Sequence, residues 1–404
     1  MKILYVNTYY DPDFGGGAEI TLKTLVEGMK EQGHDVVVLC LSADKNNIEE
    51  TVNGVRVIRV NLENYYWPLQ KTKRSPVKKI LWHLRDAYNI SMAKKFGEIV
   101  KQESPDLVSC HNLAGWSSLV WSELGKLKMP FVQVLHDFYS VCPNSNMFNG
   151  SASCESPCFR CKAFRLGHAR LSSAASAVVG VSEYILNKHL ALGYFDGVKI
   201  AKSIKNARNI DVPQARNSIE IDVPQARNSI ENEGLTFGFI GTLVPAKGIE
   251  YLIREFSNAA LPNAKLLVAG KGEDSYVEHL KSISPDSVTF LGQVEPNTFY
   301  PQIDILVVPS LWQEGLGMVV AEAFAYSVPV IGSRRGGIPE MIVEGHNGYL
   351  FEPSEGLLTK LLLNIERRDN SFSEMRRAAY LDSKVFTDVA SWTRNYELVY
   401  NDII

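Results

Sequence analysis

Long apolar runs are missing from this 404-residue chain. None approaches the ~18 consecutive apolar residues that a bilayer-spanning helix needs, which excludes that class of membrane protein. A strong charge of either sign is missing as well. Lys and Arg number 42 against 45 Asp and Glu, a formal net charge of −3, so nucleic acid is not expected as a partner. No apolar core of signal-peptide length precedes the first expected strand, Lys2 to Asn7, and the expected compartment is the cytoplasm. Cysteine is scarce, six in all. Cys40 and Cys110 close apolar strands and read as buried hydrophobes. What is there is ordinary for a soluble globular protein, 45% hydrophobic and 22% charged, with length enough for two domains.

The most informative stretch is Asp304 to Glu340, DILVVPSLWQEGLGMVVAEAFAYSVPVIGSRRGGIPE. An apolar strand (Ile305 to Val308) gives way to a Gly-bracketed loop. A helix opens near Gly317, and a second strand returns at Val328 to Ile331. Such a βαβ unit sets a helix N-terminus at the carboxyl end of a parallel sheet, where free N–H groups and the helix dipole favour an anion. Glu314 precedes the helix and Glu322 lies in its second turn, with seven residues between them. One carboxylate can accept from both adjacent hydroxyls of a ribose. The N–H groups of Gly317 and Met318 suit a diphosphate, and the unit reads as a grip on a sugar nucleotide.

The pattern recurs along the chain. Lys2–Asn7, Asp35–Leu41, Pro105–Asn112 and Pro130–Asp137 read as strands, the last two ending at histidines where ligand-facing groups belong in open α/β sheets. The GGGAE loop (15–19) opens a helix but lacks a full G-x-G-x-x-G. Asp11 and Asp13, beside Pro12, read as turn formers more than metal ligands. From Leu235 a second series starts. Its loop Gly241–Gly248 (GTLVPAKG) sets Lys247 near a helix start, and Gly270 and Gly272 repeat the strand-end glycine pattern. Strands and helices alternating in both halves imply an α/β fold of two Rossmann-like, doubly wound domains facing a central cleft. The expected domains are 1–205 and 235–385, with a linker at 206–234 and a terminal helix at 386–404 packing back on the first domain. Within the linker, IDVPQARNSIE occurs twice in tandem, at 210–220 and 221–231. A duplication there is cheap in loop entropy and carries no chemistry.

Two further features keep two readings each. Cys142, Cys154, Cys158 and Cys161 have spacing C-x11-C-x3-C-x2-C. The closing intervals suit a structural, non-catalytic zinc site, and the other reading is unlinked thiols in a loop. Between Gln70 and Lys101 the chain is basic and interleaved with aromatics (Lys71, Lys73, Arg74, Lys78, Lys79, Arg85, Lys94, Lys95, Lys101). It is either a solvated face or a contact with an anionic acceptor or the inner membrane surface, which would make the protein peripheral.

The stretch E-G-L-G-M-V-V-A-E-A resembles the E-x7-E signature of retaining glycosyltransferases of the GT-B fold, family-four type. The likeness continues through GFIGTLVPAKGI (238–249), VAGKGE (268–273), FLGQV (290–294), GGIPEMIVEGHNGYLF (336–351), GGGAE and the VLHD strand end. It spans nearly the whole chain. It implies a hexosyltransferase moving a sugar, with retention, from a UDP- or GDP-sugar to a glycan or lipid-linked acceptor in cell-surface polysaccharide synthesis. No metal or other cofactor is implied for catalysis. Carried over, Glu322 binds the ribose and Glu314 the donor-sugar hydroxyls. Lys247 neutralises the leaving group, while Gly16, Gly17 and His136 line the acceptor side, in the N-terminal domain. Thr242, Gly270, Val294, Gly315, Gly317, Met318 and Val319 fall within the donor motifs. Many relatives place an arginine where this chain has Thr242, which leaves phosphate neutralisation to Lys247 and backbone dipoles. A UDP-sugar 2-epimerase of the same fold and a silent sugar-nucleotide-binding module are the alternatives.

Overall fold

A computed structural model describes residues 1–70, 74–150, 152–212, 234–366 and 372–404. Lys71, Lys73 and most of the tandem repeat (213–231) lie outside the described residues. The chain divides into two compact units, Met1–Met147 with Cys154–Arg208 and Val389–Ile404, and Phe148–Ser153 with Asn209–Asp388. The short Phe148–Ser153 segment thus counts with the second unit, where Ser153 Oγ donates to the Leu311 carbonyl (2.8 Å).

The first unit carries strands β1 (Lys2–Val6), β2 (Asp35–Ser42), β3 (Ile48–Val52), β4 (Val55–Asn61), β5 (Leu107–Cys110), β6 (Phe131–Leu135), β7 (Ala177–Gly180) and β8 (Ile200–Ser203). They form one sheet in the order β3-β4-β2-β1-β5-β6-β7-β8. All neighbours are parallel except the β3–β4 hairpin. Central strands such as Val36–Leu41 and Phe131–Leu135 are buried throughout. Continuous apolar runs of that kind are what a parallel sheet covered on both faces requires. The terminal helix Val389–Asn401 packs on the helix Gly17–Glu31. A Cβ on Gly28 would stand 2.6 Å from Thr393 Cγ2, so only glycine lets the two approach. Gln32 Nε2 donates to Thr393 Oγ1 (2.6 Å) and His34 Nε2 meets Glu397 (3.1 Å).

The second unit holds β9 (Thr236–Ile240), β10 (Lys265–Ala269), β11 (Val288–Gly292), β12 (Ile305–Val308), β13 (Val330–Ser333) and β14 (Gly348–Phe351). All pairs are parallel, in the order β11-β10-β9-β12-β13-β14. This is the doubly wound dinucleotide-binding order, reversing between β9 and β12, and ligands of such sheets bind where the order reverses. The helix Ile249–Ala259 buries Ile249, Leu252, Ile253 and Phe256 against Phe237, Leu266 and Ile305. That stripe at i, i+3, i+4 and i+7 anchors the helix after the Lys247 loop.

Candidate active site

The loops leaving β9 and β12 are stitched together. The N–H groups of Leu311 and Trp312 both donate to the Ala246 carbonyl (2.9 and 3.2 Å). Gly248 has φ +74°, and a Cβ there would fall 1.9 Å from the Pro309 carbonyl oxygen. No side chain fits. The close approach carries Lys247 Nζ to 2.7 Å from Glu314 Oε1 and to 5.0 Å from the centre of the Trp312 ring. Ser310 Oγ donates to the same carboxylate oxygen (2.6 Å). The main chain at Glu314 is held from a third loop, where Gly337 N–H donates to the Glu314 carbonyl (3.0 Å). Burial pushes the Glu314 carboxyl up. The Lys247 charge and hydrogen bonds from Lys247 and Ser310 outweigh it, and the net position is below the ordinary carboxylate value. Glu314 is therefore an anion and Lys247 its cation.

The helix Met318–Ala325 begins four residues after Glu314, capped by Gly317 in the left-handed region (φ +93°). Its first-turn N–H groups have no intrahelical acceptor, so Met318 and Val319 open an anion-favouring end. Glu322 sits one turn on. The Tyr300 hydroxyl lies 3.0 Å from Glu322 Oε2 and 3.3 Å from the Val319 carbonyl, and the buried Tyr300 ring stacks on Tyr326 (5.1 Å, 20°). A rigid phenol thus fixes the carboxylate's direction.

Lys247, Glu314, Gly315, Gly317, Met318, Val319 and Glu322 therefore converge on one stretch of the sheet's carboxyl edge. The next strand end is laced to it. Gly241 N–H donates to Ala269 O (3.0 Å), Leu243 N–H to Lys271 O (2.8 Å) and Gly270 N–H to Gly292 O (2.7 Å). Thr242 is exposed on this rim. Val294 follows β11, two strands beyond β9, so its strand lies ~14 Å from β12.

The first unit has its own reversal, between β1 and β5. Gly16 caps the helix that starts at Gly17, and its N–H donates to Glu19 Oε2 (2.8 Å), the one half of a capping box that a glycine can make. Glu19 is buried, and burial lifts its carboxyl despite the donors from Gly16, Asn7 and Asn112. At the end of β6, His136 Nε2 lies 2.8 Å from His111 Nδ1, the rings stacked at 5.1 Å. The chain continues from His111 Nε2 to Ser109 Oγ (3.1 Å) and on to the Tyr400 hydroxyl (3.0 Å). Burial lowers His136 to about 4, and burial with the neighbouring ring takes His111 well below its usual value. Both imidazoles are neutral at physiological pH, one nitrogen of each donating and the other accepting. Burial, opposed by the Tyr139 N–H and reinforced by the Glu19 charge, raises Asp137 to about 7.

Other expected residues are not gathered in this way. Cys158 Sγ lies 3.6 Å from Cys161 Sγ, and the Cys161 thiol is also hydrogen-bonded to Cys142, whose thiol is lowered to about 6 by that bond and by the backbone N–H groups of Met147, Asn144 and Asn146 against the effect of burial. A zinc set would need the four sulfurs round one point. Among the described residues no group of three or more His, Cys, Asp or Glu could hold a metal ion. Cys142, Cys158 and Cys161 form a run of thiol–thiol contacts. Asp11 is spent on an ion pair with Lys23 (2.5 Å). In the basic stretch, Lys95 pairs with Glu63. Among the described residues no helix is long and apolar enough to cross a membrane.

Sequence reasoning missed Ser310, Trp312, Glu19, Asp137 and Tyr300. Ser310 stands four residues before Glu314, and Glu19 sits at the third helical position after Gly16, the capping-box spacing. Tyr300 has no such signal, since only the fold returns it to Glu322.

Two parallel-sheet domains of this order and this loop chemistry define the GT-B class. Comparison with known proteins agrees. Residues 16–201 match the family described as glycosyl transferase 4-like domain, and residues 234–365 match glycosyl transferases group 1. An uncharacterised 42.6 kDa protein of the cps region of Klebsiella pneumoniae is 32% identical over 87% of this chain and 90% of its own. An uncharacterised glycosyltransferase of Methanocaldococcus jannaschii is 32% identical over 98% of this chain and 95% of its own. The chain belongs to this glycosyltransferase family. Among solved structures, Anabaena HepE in complex with UDP and glucose superposes with a TM-score of 0.69 at 18% identity, each chain covered fully. Sucrose-phosphate synthase of Thermosynechococcus elongatus gives 0.73 at 18%, over 99% of this chain and 98% of that one.

Proposed function

We propose that this glycosyltransferase moves a hexose, with retention at the anomeric carbon, from a UDP- or GDP-sugar to a glycan or lipid-linked acceptor in cell-surface polysaccharide synthesis. The observation that carries the reading is the Lys247–Glu314 pair held beside the Gly317-capped helix. A donor diphosphate seated on the first-turn N–H groups meets Lys247, which stabilises the charge that grows as the glycosidic bond breaks. Glu322, directed by Tyr300, accepts from both ribose hydroxyls. Glu314 accepts from hydroxyls of the donor sugar. Backbone dipoles and Lys247 meet the phosphate charge, so activity is expected to survive chelation of divalent ions. The acceptor hydroxyl attacks from the face that the leaving diphosphate occupies, and the diphosphate oxygen takes its proton. His136 and Asp137, with Gly16 and Gly17, are assigned to the acceptor. HepE, seen with UDP and with UDP-glucose, supports the uridine donor class.

The test is product stereochemistry. Purified protein is incubated with UDP-sugars or GDP-sugars and a glycan or polyprenyl-diphosphate-sugar acceptor, and the new anomeric proton is read by NMR. The same anomer as the donor, with nucleoside diphosphate released in step, is expected. Inversion, or a 2-epimer formed without acceptor, would overturn the reading.

A further inference from the structure

The six cysteines of this chain fall into two kinds. Cys40 and Cys110 are wholly buried in β2 and β5, and burial pushes both thiols up, Cys40 to about 12. They are inert hydrophobes. The other four stand between β6 and β7, and their exposure is graded. Cys142 and Cys161 are buried, Cys154 is half-buried and Cys158 is exposed. Cys158 caps the short helix Phe159–Phe164, and Cys161 is the residue that this helix buries. Their sulfurs are 3.6 Å apart. A disulfide needs about 2.05 Å, a closure of ~1.5 Å that lies within reach of side-chain rotation.

The two thiols are unequal in a second way. The Cys161 N–H holds the Cys158 thiol below its ordinary value. Cys161 is pushed up, first by its hydrogen bond to Cys142 and then by burial. An accessible sulfur that gives up its proton thus stands against a protected one that keeps it. Such asymmetry across a Cys-x-x-Cys pair suits thiol–disulfide exchange, in which an outside reagent meets one thiol and the other resolves the product.

We propose that Cys158 and Cys161 form a thiol–disulfide exchange site whose co-reactant is a low-molecular-weight disulfide of the glutathione class. The Cys158 thiolate attacks one sulfur of that disulfide, forming a mixed disulfide and expelling a thiolate, which takes the Cys161 proton. Cys161 then attacks Cys158 Sγ and closes the protein disulfide. The second half of the co-reactant leaves as a thiolate and regains from water the proton that Cys158 had released. Two protein thiols are oxidised and one disulfide is reduced to two thiols. The inference is independent of the sugar-transfer reading. Closure also reaches beyond the pair, because a disulfide sulfur has no proton to donate and Cys142 loses its bond to Cys161. Cys142 belongs to a tight loop. Its N–H donates to Phe138 O (2.8 Å), Ser145 N–H donates to Cys142 O (2.9 Å) and Phe138 N–H donates to Ser145 O (2.9 Å). His136 and Asp137 directly precede that loop, and oxidation is expected to loosen it.

The test treats the reduced full chain with oxidised glutathione, counts free thiols and maps disulfides by mass spectrometry. The six thiols are expected to fall by two, with a Cys158–Cys161 disulfide formed and no glutathione retained. Cys158→Ser is expected to lose none of its thiols. Cys161→Ser is expected to stop at the first step, with one glutathione held on Cys158. Amide hydrogen exchange over 138–145 is expected to quicken in the oxidised wild type and not in the treated Cys158→Ser protein. Unchanged thermal unfolding checks both variants, and since Cys158 is exposed its variant decides the matter should Cys161→Ser misfold. All thiols retained, glutathione left on wild-type Cys158, or a disulfide made instead by Cys142 or Cys154 overturns the proposal. So does a zinc ion that co-purifies and blocks oxidation until a chelator removes it, which would make the cluster a metal site. Unaltered exchange over 138–145 overturns the link to that loop.

Discussion

Replacing Lys247 by Met removes the cation and keeps most of the side-chain volume. Its effect follows from the balance at Glu314. In the wild type, burial pushes the carboxyl up and Lys247 with its hydrogen-bonding partners pulls it below the usual range. A carboxylate with a depressed folded-state pKa adds stability above its unfolded pKa and loses it as pH falls through the folded one. Without Lys247, burial dominates, opposed by the Ser310 hydrogen bond. Removing one partner of a fully buried pair costs about 3–5 kcal/mol. The side chains here are 28% and 9% exposed, Lys247 first, so solvent screening brings the expected cost to about 1–3 kcal/mol. The cost must depend on pH, because Lys247 stabilises only the ionised carboxylate. Urea unfolding of both proteins at pH 8, 6 and 4 measures it. The difference should be full at pH 8 and shrink toward pH 4, as Glu314 of the variant, no longer held down by Lys247, takes up a proton and stops being an unpaired buried charge. A penalty that stays constant across that range, or none at pH 8, would refute the electrostatic account and leave Lys247 a packing residue.

Glu322→Ala should weaken donor binding by at least about tenfold in a calorimetric titration, since hydrogen bonds to a charged acceptor are worth ~1.5–3 kcal/mol each. Unchanged affinity would remove the ribose assignment. Gly248→Ala sets a Cβ 1.9 Å from the Pro309 carbonyl at φ +74°. It should lower Tm and donor affinity together, because the loop that carries Lys247 must pull away from the loop that carries Glu314. The buried histidines predict acid lability of the first unit. His136 and His189 are lowered to about 4 and His168 to about 3. The unfolded chain therefore binds more protons than the folded one between about pH 6.5 and 4, and stability should fall as pH drops through that window, by up to ~1.4 kcal/mol per pH unit for each histidine. Denaturant midpoints flat from pH 7 to 5 would contradict this.

Much of this was readable in the sequence because each unit repeats a local grammar. An apolar run ends, a glycine or proline breaks it, and a helix opens with apolar spacing. The grouping of the proposed donor residues was readable because they cluster along the chain. Glu314, Gly317 and Glu322 lie within nine residues, and Lys247 sits in a glycine-bounded loop of its own. Tyr300 and Tyr400 were not readable. Each reaches its partner through tertiary packing, Tyr300 onto Glu322 and Tyr400 onto Ser109, and nothing near either residue encodes that. The thiols are an intermediate case. Their spacing predicted nearness, and Cys142, Cys158 and Cys161 do come into contact; spacing alone could not choose between a ligand set and a cluster of free thiols.

The pairing of Lys247 with Glu314 also bears on the missing second cation at Thr242. A free lysine would meet an incoming diphosphate as a full charge on a mobile stem. Paired, it offers a fixed position and a smaller net field, so attraction at long range is traded for placement at short range. A lysine ammonium carries three donors. Glu314 engages it at 2.7 Å and Trp312 lies across it at 5.0 Å, which restrains the stem without exhausting the donors. What remains of the attraction for phosphate must come from the first-turn N–H groups at Gly317, Met318 and Val319. Those dipoles are held by the fold and need no counter-ion, and they act only within about a helical turn. On the proposed reading the site selects a phosphate already in register with Glu322, because ribose and diphosphate are joined and the two proposed grips lie one turn apart on the same helix.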